Sequence, residues 1–107
     1  MKSKLGQLDA ALTDAEAAHA LAPDNPAVND TVGWVLVQQD EPARALTYLR
    51  QARARASEDP SIRYHIATAL ARLGREKEAL AELYYLLEDD EEFSEREDAE
   101  ALQRQLE

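Results

Sequence analysis

Residues 24–39 read DNPAVNDTVGWVLVQQ, and residues 58–74 repeat the phrase in other letters, EDPSIRYHIATALARLG. In each, a polar residue able to cap a helix (Asn25, Asp59) stands before a proline (Pro26, Pro60). Proline suits the first helical position, where its missing N–H would have no partner anyway. Asn or Asp just ahead of it can accept from the free amides of the first turn. The two prolines are 34 residues apart. Apolar residues then recur at helical spacing: Val28, Val32, Val35 and Leu36 in the first phrase, Ile62, Ile66, Ala69, Leu70 and Leu73 in the second.

A second apolar stripe follows each phrase. Ala45, Leu46, Leu49 and Ala52 answer Ala79, Leu80, Leu83, Leu86 and Leu87. Between the stripes lie QQDEP and RLGRE, polar turns short enough to join antiparallel helices. Gly74 fits a left-handed helix terminator, and Asp40 is a poorer substitute that can still adopt that conformation. One period earlier, Gly6 falls opposite Asp40 and Gly74, and Ala11 opposite Ala45 and Ala79. The unit is a helix–turn–helix, repeated.

A 34-residue period of helical hairpins resembles the tetratricopeptide repeat family. Gly33 and Ala67 fill its small slot in the first helices, and Ala11, Ala45 and Ala79 fill the small slot early in the second. The pairs Val32/Ile66, Leu36/Leu70 and Leu49/Leu83 hold its bulky slots. Two family positions differ: the early aromatic is Asn29 and Arg63 here, and the closing proline is Ser57 and Glu91. The resemblance implies an all-α fold, an α-solenoid of antiparallel hairpins in a right-handed superhelix with a C-terminal capping helix. Its expected divisions are the second helix of a partial repeat over 1–25, full repeats over 26–59 and 60–91, and a capping helix over 92–107. The wording from DTVGWVLVQQ to EREDAEAL further resembles the C-terminal repeats of a bacterial tetratricopeptide lipoprotein of PEP-CTERM and exopolysaccharide systems. That likeness implies an interaction scaffold of the periplasm or cell envelope if the chain is a fragment. The chain as written, without an apolar leader, would stay in the cytoplasm.

Both ends of such an array need covering. At the C-terminus, Ser94 and Glu97 have capping-box spacing, Ala99, Leu102 and Leu106 form a narrow apolar face, and Phe93 is expected to plug the corner. At the N-terminus, SKLGQLDAALTDAEAAHAL matches only the second helix of a repeat. Its missing partner would leave an apolar edge at Leu5, Leu8 and Leu12. Either the chain is part of a longer array, or that edge pairs with a second copy in a homodimer.

The 107 residues carry a formal net charge of −10, no cysteine and no apolar run of membrane-spanning length. Disulfides and thiol-ligated zinc are therefore excluded. Residues 1–43 hold 2 basic and 7 acidic side chains, residues 44–77 hold 8 and 3, and residues 78–107 hold 2 and 12. An acidic field of this kind argues against nucleic acid as a partner, since phosphate binding rests on Lys and Arg. The basic middle block is read as ion pairing on helix surfaces.

No cofactor, metal or catalytic constellation is expected. The histidines, His19 and His65, lie on different repeats without ligand spacing, and no glycine-rich phosphate loop or nucleophile motif occurs. The acidic run EDDEEFSERED (88–98) lacks the central glycine and ligand order of a calcium loop and reads as a solvated linker. Tyr84 and Tyr85 are expected to pack against the following helix.

The remaining expectation is a protein or peptide partner. In this architecture the first helix of each hairpin lines the concave groove. The side opposite the core stripe carries Ala27, Asp30, Trp34, Val37 and Gln38 on one such helix and Ser61, Tyr64, Thr68, Ala71 and Arg72 on the next. Trp34 with Tyr64 would form an aromatic platform with Arg72 available to a carboxylate, residue types common in binding hot spots. The competing reading has Trp34 simply covering a neighbouring repeat's helix.

Overall fold

The computed structural model describes residues 4–88 and 91–107, with side chains from Gly6 onward. Its elements are α1 (Lys4–Leu21), α2 (Pro26–Gln38), α3 (Pro42–Arg55), α4 (Pro60–Arg72), α5 (Glu76–Leu86) and α6 (Arg96–Leu106), with no strand among the described residues. Each of α2 and α4 starts as its sequence dictates. The Asn25 carboxamide accepts from the amides of Ala27 and Val28 at 2.9 and 3.2 Å, and the Asp59 carboxylate accepts from those of Ser61 and Ile62 at 2.9 and 3.4 Å. Pro42 plays the same opening part in α3, at the first helical position, without a side-chain cap.

The two helices also stop alike. Asp40 and Gly74 take positive φ, 64° and 80°. The amides one residue on, of Glu41 and Arg75, then reach back to the carbonyls of Leu36 and Leu70 at 2.9 Å. This is the six-to-one closure of a left-handed C-terminus, and it turns the chain directly into the next antiparallel helix.

Packing within a hairpin turns on Gly33. A Cβ there would lie 2.6 Å from both Cγ and Cδ2 of Leu49 and 3.3 Å from the carbonyl oxygen of Ala45. Leu49 is itself completely buried, so it has nowhere to move. The glycine thus weakens the helix locally in order to let α2 and α3 touch. From that crossing the core runs on without a break through Val32, Leu36, Ala45, Leu46, Leu49, Ile62, Ile66, Leu70 and Ala79. A second cluster of Tyr64, Ala67, Leu83, Leu86 and Ala99 closes the far end.

The two family slots that hold unusual residues are filled by polar solutions. Asn29 is buried, and its Nδ2 donates to the Pro23 carbonyl at 3.1 Å. Arg63 and Arg53 both bind Glu82, at 2.8 and 2.6 Å, joining α3, α4 and α5 by one shared carboxylate.

At the C-terminus, α6 lies 34 residues after α4 in the repeat frame, Ser94 matching Pro60. Ala99 is buried, and Leu102, Leu106 and Phe93 pack on the second cluster as expected. The slots that hold Val32 and Leu36 in α2 hold Glu100 and Arg104 here, so α6 presents a charged face where a partner helix would sit. The capping box is not formed. The Ser94 hydroxyl donates to Glu95 at 2.7 Å, and α6 begins without a side-chain cap.

Two further expectations are corrected. Tyr84 and Tyr85 are 51% and 58% exposed rather than packed under α6, and the Tyr85 ring carries the Arg63 guanidinium 4.2 Å from its centroid. Nor do Leu8 and Leu12 form an open edge. Leu8 is 9% exposed and Leu12 packs into the core, because α1 turns its leucines toward α2. The Leu5 side chain lies outside the described residues.

Gly33→Ala tests the crossing. Overpacking costs about 1–3 kcal/mol, against about 1 kcal/mol of helix propensity gained. We expect a lower urea midpoint, where an exposed helix glycine would give a higher one. Leu49→Ala in the same chain should reverse the sign of the Gly33→Ala effect by vacating the contested space.

Candidate protein-binding groove

The helices fall into two layers. The backbones of α2 and α4, and of α4 and α6, approach closely, whereas α1, α3 and α5 meet one another only through side chains such as His19–Tyr48 and Arg53–Glu82. Elements that approach more closely on one side curve the array toward that side, so α2, α4 and α6 form the inner face.

The ten residues assigned to this face divide into three groups. Ala27, Gln38 and Arg72 are exposed, and Asp30, Trp34, Ser61 and Ala71 are partly buried. Val37, Tyr64 and Thr68 are buried. Val37 is a correction: it is fully enclosed in the core cluster that holds Leu36 and Leu46, so its apolar side chain is buried rather than offered to the groove. Tyr64 is likewise no open platform, since its ring belongs to the second cluster.

The unexpected feature is His65. Its side chain is only 8% exposed, and each ring nitrogen faces a carboxylate. Nδ1 lies 2.6 Å from Asp30 Oδ1 on α2, and Nε2 lies 2.7 Å from Glu95 Oε2 just ahead of α6. The other oxygen of Glu95 accepts from the hydroxyls of Ser61 and Ser94 at 2.6 and 2.7 Å. Trp34 stacks on the imidazole, with centroids 4.1 Å apart and planes 23° apart, while Tyr64 touches both rings at a tilt. One side chain of the middle unit therefore joins the unit before it to the unit after it.

Four residues expected to await a partner are thus already engaged. Asp30 binds His65, Ser61 binds Glu95, and Trp34 and Tyr64 pack on the same imidazole. The reading in which Trp34 covers a neighbouring helix accounts for its stacked face. His65 and Glu95 were passed over in the sequence, one as an isolated histidine and the other as part of an acidic linker. The repeat frame held a usable signal: Glu95 occupies the same slot as Ala27 and Ser61, which places a charge on the inner face beside a histidine.

Burial of Glu95 opposes its ionisation, but the hydroxyls of Ser61 and Ser94 and the adjacent His65 outweigh that and hold its carboxyl below the usual carboxylate range. Tyr64 moves the other way, raised chiefly by burial and further by Asp98 and Glu95. Its phenol is thus a neutral hydrogen-bonding group.

Beyond the His65 seam, toward the C-terminal ends of α4 and α6, the inner face opens into a cleft of about 380 Å³. Ala71, Leu102 and Leu106 give it an apolar floor, and Thr68, Arg72, Glu76 and Gln105 a polar rim. No group of three or more His, Asp or Glu side chains able to hold a metal occurs among the described residues. No helix among them is long and apolar enough to cross a membrane.

Helical hairpins of 34-residue period, a small-residue crossing and a two-layer stack define a helical repeat protein. The tetratricopeptide repeat family matches residues 1–102, and the chain belongs to that family, whose members are generally protein-interaction modules. Among curated proteins and among solved structures, none matches the chain.

The Glu95 carboxyl makes an acid-side prediction. Its folded-state pKa is below the ordinary 4.5, so its contribution is complete above that value and is lost as pH falls through the folded pKa. Urea midpoints should therefore fall on acidification below about pH 4.5. Glu95→Gln should flatten part of that slope while lowering the midpoint near neutrality.

Proposed function

We propose that the chain is a non-catalytic binding module whose inner face holds a peptide or protein segment. The observation that carries this reading is the cleft between α4 and α6, with its apolar floor of Ala71, Leu102 and Leu106 beside the exposed Arg72. An apolar side chain of the partner would enter the floor. The planar guanidinium would take a carboxylate or a main-chain carbonyl in a charge-assisted pair. The packed hairpins hold these groups in place before docking, which reduces the ordering entropy that association must overcome. The bound segment would run past the exposed edge of Trp34 toward Gln38 and Ala27, along the rest of the face. The likeness of the terminal repeats to those of a bacterial PEP-CTERM and exopolysaccharide-system lipoprotein supports a partner within a cell-envelope assembly.

A random peptide library selected on the purified chain tests this. Selected peptides should carry an aliphatic or aromatic residue near an acidic one, and their binding should perturb the emission of Trp34, the single tryptophan. Arg72→Glu, at an exposed position that need not disturb the fold, should weaken them at least tenfold, equivalent to about 1.4 kcal/mol. Peptides that bind Arg72→Glu and Leu106→Ala variants as well as the parent chain would place the interaction elsewhere and overturn the reading.

A further inference from the structure

His65 is asked to do something that a neutral histidine cannot. A neutral imidazole donates from one nitrogen and presents a lone pair on the other, whereas an imidazolium donates from both. Here both nitrogens lie within hydrogen-bond distance of carboxylate oxygens, at 2.6 and 2.7 Å. A neutral ring would turn a lone pair on one of those oxygens in a buried site, where such a contact is costly. The geometry satisfies all three groups only with a second proton shared into these contacts, and the ring, a stronger base than a carboxylate, is the group that takes it.

The charged groups around the ring are few and identifiable. Asp30 faces it from α2 and Glu95 from the segment ahead of α6. From α3 and α5, Arg53 and Glu82 turn to each other and to Arg63 instead. Asp98 of α6 and Arg72 of α4 act on the Tyr64 hydroxyl. The proton on His65 thus answers chiefly to Asp30 and Glu95. The two arms are unequal: Glu95 keeps its bonds to Ser61 and Ser94 if the ring lets go, whereas among the described residues Asp30 is hydrogen-bonded through its side chain to the ring alone.

We propose that His65 is a proton-dependent stitch across the inner layer. With the proton present, α2, α4 and α6 are tied through one imidazolium. When the proton leaves, one of the two seams opens and the helices on either side of it relax. Asp30 is the arm released, because the neutral ring remains beside a Glu95 already fixed by two hydroxyls. The angle between the first and second units then becomes free to change. Partner affinity would follow the same proton, a consequence that rests on the groove reading above; the stitch itself does not.

The molecule carries its own reporter. Trp34 is the single tryptophan and is stacked on the His65 ring. A protonated imidazole in contact quenches indole emission more strongly than a neutral one. Emission measured without any ligand, from about pH 5.5 to about pH 9, should rise in one step as the proton leaves. Amide-exchange protection at the start of α2 should fall in the same step. Long-range proton–nitrogen spectra below the step should show both His65 nitrogens protonated.

His65→Gln should abolish the step. His19→Gln should leave it intact, because His19 packs on Tyr48 away from the tryptophan. If His65→Gln fails to fold, Asp30→Asn serves instead: with one carboxylate removed the proton is held less firmly, and the step should move to lower pH. A bare nitrogen on His65 below the step, a step that survives His65→Gln, or one that Asp30→Asn leaves in place would overturn the stitch. None of these outcomes depends on a peptide, so the stitch and the groove can fail separately.

Discussion

A buried imidazole between two carboxylates sets the terms for the inner layer. Asp30, His65 and Glu95 come from three successive units, and the buried ring needs both carboxylates to avoid a desolvated nitrogen without a partner. Breaking a buried pair by removing one member leaves an uncompensated charge and commonly costs several kcal/mol, even where the intact pair adds little net stability. The triad therefore acts mainly as a specification. It fixes how α2, α4 and α6 are placed relative to one another, with Trp34 and Tyr64 wrapped round the ring to keep water away.

The rest of the fold is built from contacts between neighbours. Each hairpin closes at a left-handed turn, crosses at a small residue and passes its apolar face to the next, so stability accumulates along the array. Gly33 makes the crossing of the first hairpin possible, and Ala67 holds the matching slot in the second. Outside this apolar line, the Arg53–Glu82–Arg63 unit ties the outer layer to the inner one, as the His65 triad ties the inner layer to itself. Polar networks thus cross between helices on both sides of a continuous hydrocarbon core. The inner cleft lies where α4 and α6 are held in register by that core below and by the triad at their N-terminal ends.

What could be read from the sequence was whatever depends on near neighbours along the chain. The caps at Asn25 and Asp59, the terminators at Asp40 and Gly74, and the apolar stripes are local events with local chemical causes, and the structure contains them. The site was legible only by face. Helical spacing put Asp30, Trp34, Ser61 and Arg72 on one side, but it could not say which of them would be used up internally. That depends on residues 30 to 35 positions away, such as His65 against Asp30 and Glu95 against Ser61. Val37 was misplaced because a helical wheel assigns it to the face opposite the core stripe, whereas the core encloses it together with Leu36. Leu8 and Leu12 were misplaced for a related reason. Their helix was judged by the hairpin pairing expected of it, while in the fold it turns its leucines toward α2.

The central claim is that Asp30 and Glu95, which bind opposite nitrogens of one ring, are energetically coupled through it. A double-mutant cycle measures this directly: urea unfolding near pH 6 of the parent chain, Asp30→Asn, Glu95→Gln and the double variant. The account predicts non-additive effects, with a coupling of at least about 0.5 kcal/mol and up to about 3 kcal/mol, because each substitution changes the protonation that the other arm requires. The same cycle repeated in His65→Gln should show no coupling. Effects that add to within about 0.3 kcal/mol in the parent chain would mean that the two carboxylates act independently, and the single stitch across three units would be contradicted.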